Sequence, residues 1–428
     1  MKRYLTGIDW IVNSIDYINK AQSGIGNHSE LVLELKTPPD SAALKEALDN
    51  FNRRFPLLTG YPTRALNLCP YWRIPQQLPY QPLRLETIKL SPEADYLAPL
   101  ALQVNSPFRN RREHLIFMLV ESGQRAFLGM VFDHRLLDAK GAEAFLHCFQ
   151  QFYENHTPLQ LSSSCPSHLN RWTQKLLAGR QVNRFLLRIT RQASLRTLPI
   201  DLKREPAKFR IIHLDETKSQ RLIKKAYAQA GYLMFLPYAL AKTIQIMHKT
   251  FEANKIPGSK YLIPVPMDQR NIEEAHKESL FNHFSFFMFD IDASKVNDSN
   301  WLLAEIKKQM YDQVKAKLPE AILNGSYLFR IAPLAVTNFI LKLMSKKSFA
   351  SFAFSYLSNT YQQSKLLGAA VQNIFHLPRT PKPPGIGVFF TQFENKLNIS
   401  ISYFEGLLSE TQIDQIAADL EALADEEG

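Results

Sequence analysis

The sequence predicts an α/β protein of two lobes, each a mixed sheet flanked by helices. Three observations carry that expectation. At 428 residues the chain exceeds what one hydrophobic core organises, since single cores stop growing at about 250–300 residues. Apolar runs of strand length alternate with helical stripes through both halves. Between residues 157 and 207 runs a stretch rich in Ser, Pro, Asn and Arg with only short helical patches, the composition of a connection between domains. The expected organisation is a first lobe over 1–165, a basic crossover over 166–207 and a second lobe over 208–428.

In the first lobe a helix is signalled at Ser41–Arg54, where Asp40 or Ser41 caps the free amides and Leu44, Ala47, Leu48 and Phe51 recur at helical spacing. Pro56 stops it. LIFMLVE (Leu115 to Glu121) and AFLGMVF (Ala126 to Phe132) read as strands, and the SGQR between them as a hairpin turn, so they pair antiparallel. DHRLLDAKG follows, and then a helix whose stripe is Ala142, Phe145, Leu146, Phe149 and Phe152. The second lobe opens with the strand KFRIIHL and helices from Glu216 and Phe235. Strands YLIPVPM and FSFFMFDID, helices over Asn300–Lys317 and Tyr327–Met344, strands FAFSYLS, IGVFFTQFE and LNISISYF, and a capped helix from Ser409 to Leu423 complete it.

Composition removes several classes. With 45% hydrophobic and 21% charged residues, the chain has ample material for packed cores and lacks the polarity of a disordered protein. Cys69, Cys148 and Cys165 are an odd number with no C-x-x-C pair, so neither a disulfide framework nor a zinc site is expected, and no metal is assigned. Asp9 and Asp16 interrupt the apolar start, which lacks the core of a signal peptide; a cytoplasmic location is the expectation. The greasy stretch Phe329–Met344 contains Arg330, Asn338 and Lys342 and is shorter than the roughly 20 residues that cross a bilayer. It reads as a buried or groove-lining helix. The net charge of +11 is local: residues 170–210 hold eleven Lys or Arg against Asp201 and Glu205, a net +9.

Common catalytic motifs are missing: there is no G-x-x-x-x-G-K-[ST], G-x-S-x-G, H-E-x-x-H or complete G-x-G-x-x-G. What stands out is H-x-x-x-D at His134–Asp138, set where an apolar strand ends and a helix begins. Such a position presents a side chain at a sheet end, where ligands bind.

The chain resembles the superfamily of chloramphenicol acetyltransferases, nonribosomal condensation domains, wax-ester synthases and plant hydroxycinnamoyl-type transferases, which carry H-x-x-x-D-G at such a strand end. Its landmarks follow in order down nearly the whole sequence. ALKEALDNFNRRFPLL from Ala43 resembles the superfamily's first helix and its R-x-P-L-L exit, and IPVPMDQRN from Ile263 its P-V-D-x-R strand end. FNHFSFFMFDID resembles the following G-N strand, SYLSNT from Ser355 the S-N strand, and KLNISISYFEGLLSE from Lys396 the last strand before the closing helix. Four departures stand beside these matches: Asp133 replaces a second His, Ala139 replaces the Gly of the motif, no Gly precedes Asn282, and no D-F-G-W-G segment is present.

The resemblance implies two chloramphenicol-acetyltransferase-like lobes with an active-site tunnel between them. A thioester donor, acyl-CoA or an acyl-phosphopantetheine, enters from one face and a small alcohol or amine acceptor from the other, with no permanently bound cofactor. His134 is the implied general base, which suits an imidazole with a reference pKa near about 6.5. Asp138 is implied to turn away from substrate and pair with Arg270. Ser358 and Asn359, or backbone amides beside the His134 loop, are candidate oxyanion donors, and Asn282 and His283 are weaker candidates to line the tunnel. For the basic crossover three readings stay open: solvated linker charge, contact with donor phosphates or an acidic carrier protein through Arg180, Arg184 and Arg188, or contact with an anionic membrane surface. No nucleic-acid motif accompanies the charge. A free acyl-CoA enzyme is the first reading, with a carrier-protein-dependent condensation enzyme and a non-catalytic binding protein of the same fold as alternatives.

Overall fold

A computed structural model describes residues 2–66, 68–74, 80–155, 171–190, 194–199, 205–270, 280–337, 339, 350–358, 361 and 363–425. In the first half the chain forms β1 (Lys2–Tyr4), α1 (Gly7–Ser23), β2 (His28–Leu35), α2 (Ser41–Arg54), β3 (Tyr61–Arg64), β4 (Pro70–Arg73), β5 (Arg84–Leu90), α3 (Leu97–Val104), β6 (Leu115–Ser122), β7 (Arg125–Asp133) and α4 (Ala139–Asn155). The expected helix and hairpin are there: Asp40 caps α2 by accepting from the amides of Ala42 and Ala43, and β6 pairs antiparallel with β7. An element the sequence reading did not name, α1, is fixed by a capping box in which Thr6 and Asp9 satisfy each other's backbone amides.

The second half contributes α5 (Trp172–Thr190), β8 (Ala207–Leu214), α6 (Glu216–Ala230), α7 (Phe235–Ala253), β9 (Lys260–Asp268), β10 (Phe284–Asp292), α8 (Ser299–Lys315), α9 (Leu318–Ser326), β11 (Ala353–Leu357), β12 (Lys365–Leu366), β13 (Ala369–Pro378), β14 (Ile386–Phe393), β15 (Lys396–Phe404) and a closing helix over Glu410–Ala422. That last helix carries its own capping box, from Ser409 and Gln412.

Two mixed sheets dominate. The larger runs β12-β13-β2-β7-β6-β5 and the other β11-β14-β15-β8, with small β1-β4-β3 and β10-β9 sheets beside them. Each large sheet is antiparallel except for one parallel pair, β5 with β6 and β11 with β14. The larger sheet borrows β12 and β13 from the second half of the chain, a return that the expected division at residues 165 and 208 does not include. Its core is built on Leu31, Phe117, Leu128 and the α2 and α4 phenylalanines. The second core gathers Tyr261, Phe289, Val388 and Ile399 beneath α7 and the closing helix.

Two expectations need correction. The crossover was expected to hold only short helical patches, yet α5 is a single 19-residue helix. Gly179 and Gly325 explain it: a Cβ on Gly325 would lie 3.1 Å from the Gly179 Cα, so α5 and α9 cross with their backbones nearly touching and packing stabilises what propensity alone does not. The second is the expected helix over Tyr327–Met344. A 3-10 turn spans Phe329–Ile331, the chain turns extended at Ala332, and a helix restarts at residue 334; residues 338 and 340–349 lie outside the described residues. Pro333 accounts for the break, because the residue before a proline is pushed out of the helical region.

Candidate active site

The His134 loop lies where the two halves of the chain meet. β7 ends at Asp133, and the first turn of α4 begins at Ala139. The five residues between are clamped from both sides. From the first half, the His134 amide donates to the Asn27 carbonyl at 2.9 Å. From the second half, the Phe281 amide donates to the Leu136 carbonyl at 2.6 Å, and Leu137 bridges to Phe281.

Asp138 holds this junction. Its Oδ1 accepts from Arg270 Nη2 at 2.7 Å and from the Gly141 amide at 2.7 Å, while Oδ2 accepts from the His283 amide at 2.9 Å. Burial opposes the charge on this carboxylate, but Arg270 and the donated hydrogen bonds outweigh it and hold its pKa below the usual range. Arg270 also donates to Asp268 at 2.9 Å, and Lys140 pairs with the other oxygen of Asp268 at 3.2 Å. The expected Asp138–Arg270 pair is therefore present, and both partners are buried.

His134 is only partly buried. Its Nδ1 stands 3.3 Å from Asn282 Oδ1. The orientation of that amide is set by its other end: Asn282 Nδ2 donates to the His134 carbonyl at 3.0 Å and to Asp9 Oδ1 at 3.2 Å. With both acceptors facing the amide nitrogen, Oδ1 faces the ring, an arrangement that favours the neutral tautomer with its proton on Nδ1 and its lone pair on Nε2. Asp9 completes the support by accepting the Asn282 amide at 3.1 Å.

Asp133, the residue before His134, has a partner set of its own. Asp133 is fully buried, where it accepts from His114 Nδ1 at 2.8 Å and from Arg135 through Nε at 2.9 Å, Nη2 at 2.5 Å and the backbone amide at 2.9 Å. Burial penalises the charge, yet Arg135 and His114 together hold the Asp133 pKa well below the ordinary carboxylate range. Arg135 reaches Asp16 as well, at 3.3 Å. The network ties the turn before His134 to α1. Asp9 and Asp16, which in the sequence only interrupt an apolar run, are thus positioning residues, and their seven-residue spacing on one helix face was the signal for them.

His134 opens onto a cavity of about 1850 Å³ that is walled by α1, α5, β9, β10, β11 and the chain after β13. This exceeds the roughly 300–1,000 Å³ of an ordinary small-molecule pocket. Ile11, Ile15, Pro264, Phe284, Phe286 and Leu357 are among its apolar lining residues.

The remaining candidates separate. Ser358 is exposed at the end of β11 and lines the cavity; Asn359 lies outside the described residues. Neither Asn282 nor His283, weak candidates for the tunnel wall, is among the cavity-lining residues. Asn282 acts from behind the ring, and the His283 amide is committed to Asp138 while its Nε2 lies 3.1 Å from the Leu280 carbonyl. Arg180, Arg184 and Arg188 form one exposed ridge on α5, whose opposite face, with Val182, Asn183 and Leu186, lines the cavity. No group of three or more His, Cys, Asp or Glu that could hold a metal occurs among the described residues, nor does any helix long and apolar enough to cross a membrane.

Compared by sequence, the chain matches no protein-family model and no curated protein. Solved structures do match it. The first condensation domain of the calcium-dependent antibiotic synthetase, in complex with a substrate analogue, superposes with a TM-score of 0.71 at 13% identity, over 99% of this chain and 96% of that one. The TRI3 trichothecene 15-O-acetyltransferase from Fusarium sporotrichioides gives 0.69 at 11% identity over 100% and 96%, and the epimerization domain from the third module of tyrocidine synthetase B gives 0.64 at 13% over 99% and 96%. Across its full length, this chain has the two-lobed fold of these condensation and epimerization domains and of this acetyltransferase.

Proposed function

We propose that this protein transfers an acyl group from a thioester donor, acyl-CoA in the first instance, to an alcohol or amine acceptor, with His134 as general base. One observation carries the reading: His134 borders the cavity with Nδ1 held by Asn282, which leaves the Nε2 lone pair free to take a proton. As the acceptor oxygen or nitrogen attacks the thioester carbonyl, its proton passes to Nε2. The tetrahedral intermediate then collapses, the C–S bond breaks, and the same proton goes to the departing thiolate. No acyl-enzyme is needed, because the donor is already activated. General-base catalysis of this kind supplies roughly 10²–10⁴-fold.

Of the side chains first considered for oxyanion stabilisation, Ser358 is the described one that borders the cavity. The Asn282 amide nitrogen and the His283 backbone amide already have acceptors. The size and apolar wall of the cavity support a bulky apolar acyl group or acceptor bound together with the donor arm. Donor choice is decided by assaying the purified protein with acyl-CoA and acyl-carrier-protein donors in parallel across chain lengths: turnover with the carrier-bound donor alone selects the condensation-type alternative, and turnover with neither selects the non-catalytic one.

Asn282→Ala is expected to lower kcat about tenfold, the worth of roughly one hydrogen bond, with little change in donor KM and an altered pH profile as the imidazole loses its fixed tautomer. An unchanged pH profile would make Asn282 a packing residue only.

The ridge on α5 supports contact with anionic groups outside the cavity. Changing Arg180, Arg184 and Arg188 to Gln is expected to raise donor KM and weaken its salt dependence while kcat holds. If donor kinetics stay put while partition onto anionic vesicles falls, the membrane-surface reading replaces donor binding. If neither moves, the ridge is solvated charge.

A further inference from the structure

Beyond the His134 loop, the same cavity has a second polar patch that the proposed chemistry does not use. It lies where β13 and β2 end side by side: Arg379 and Thr380 follow β13, and His28 begins β2. All three are at least nine-tenths buried and line the cavity. Buried polar groups in native proteins almost always find partners. Here Arg379 Nε, Thr380 Oγ1 and both ring nitrogens of His28 have none among the described residues.

Arg379 is held in place without being neutralised. Its Nη2 donates to Ser23 Oγ at 3.1 Å, its Nη1 lies 3.5 Å from the Gly26 carbonyl, and its guanidinium stands 5.2 Å from the centre of the Phe404 ring. No carboxylate among the described residues pairs with it. The acids on the cavity wall, Asp138 and Asp268, are both engaged by Arg270. Lys382, also on the wall, sits 3.9 Å over the same Phe404 ring.

We propose that Arg379, Thr380 and His28 form a subsite for an anionic oxygen group, a carboxylate or phosphate, on one of the two substrates. The inference deepens the acyl-transfer reading by naming a charged feature of the substrate, and it rests on that reading for the identity of the neighbouring centre. The planar fork of an arginine matches the oxygens of such groups. An unpaired buried charge is costly, and a ligand of opposite charge recovers that cost. Burial lowers the Arg379 pKa to about 10 and the His28 pKa to about 3, so near neutrality the arginine is the cation of the patch and the imidazole a neutral donor.

Position connects the patch to the chemistry. Pro378 pairs with Ser29, and Ser29 with Phe132. His28 pairs with Asp133, the residue before His134. Two strand spacings of about 4.8 Å each separate the end of β13 from the end of β7, so the anionic group would sit on the order of 10 Å from the reacting carbonyl.

Binding to the full chain tests this without turnover. Calorimetry with two probe pairs, 4′-phosphopantetheine against pantetheine and decanoate against decanamide, asks whether an anionic member is preferred and in which pair. A preference of about 10- to 100-fold is expected, the range for a hydrogen bond to a charged group; a preference in the phosphate pair would assign the site to the phosphate of the donor arm, and one in the carboxylate pair would assign it to a substrate carboxylate. Arg379→Gln should abolish the preference and leave the neutral member's Kd unchanged. Arg379→Lys should retain part of it, and Thr380→Val should weaken only the anionic member, which keeps the test open if Arg379→Gln does not fold. Equal binding within both pairs, or a preference that survives Arg379→Gln in folded protein, overturns the subsite. A protein with no transferase activity that still shows the Arg379-dependent preference would retain the subsite and lose the catalytic reading.

Discussion

Replacing His134 by alanine should lower turnover by about 10²–10⁴-fold, the contribution of a positioned general base, while the protein stays folded and donor KM moves little. The structure makes the substitution mild for the fold. Among the described residues His134 takes part in no ion pair, its ring meets Asn282 Oδ1 through Nδ1 and packs near Phe132 and Phe284, and its backbone bonds to Asn27 and Asn282 survive the change. A loss confined to kcat would mark an interaction made in the transition state. Far-ultraviolet circular dichroism of the variant and single-turnover kinetics with an acyl-CoA donor make the check. Turnover near the wild-type value would sink the assignment of His134.

The largest effect on stability is expected at Asp138. Its side chain and that of Arg270 are 7% and 2% exposed, and removing one partner of a buried pair strands the other charge at a cost of about 3–5 kcal/mol. Asp138→Ala also abandons the Gly141 and His283 amides, so it should cost more than Arg270→Ala, which leaves Asp138 with those two donors. The double variant should cost clearly less than the sum, since residues in contact are not additive. Strict additivity in urea denaturation would show that the pair carries no coupling.

The same pair sets an acid limit. The folded pKa of Asp138 is depressed from an ordinary value of 3.8, so the folded state favours the ionised form. That stabilisation is fully present above the ordinary value and is lost as pH falls from there through the lowered folded value. In Asp138→Ala this part of the stability dependence below about pH 4 should disappear.

Local rules made much of this protein legible before any coordinates. Apolar alternation marked β6, β7, β9, β10, β11, β14 and β15, and cap residues marked α2 and the closing helix, because these signals depend on neighbours a few residues apart. The same signals, joined to the order of the superfamily's landmarks, pointed to His134, Asp138 and Arg270. Contacts between distant segments were another matter. Asn282 stands 148 residues from His134 and 273 from Asp9, and only tertiary packing turns those three into one device that fixes a tautomer. Asp16 with Arg135, Gly179 against Gly325, and Arg379 beside His28 belong to the same class: each residue is ordinary in its own stretch of sequence. By itself, then, the sequence determined the α/β class, most of the elements and the identity of the catalytic candidate. The tertiary structure alone decided which buried charges are paired, that β13 joins the first sheet, and that Arg379 faces the cavity without an acid among the described residues, because burial and pairing are properties of where segments meet in space.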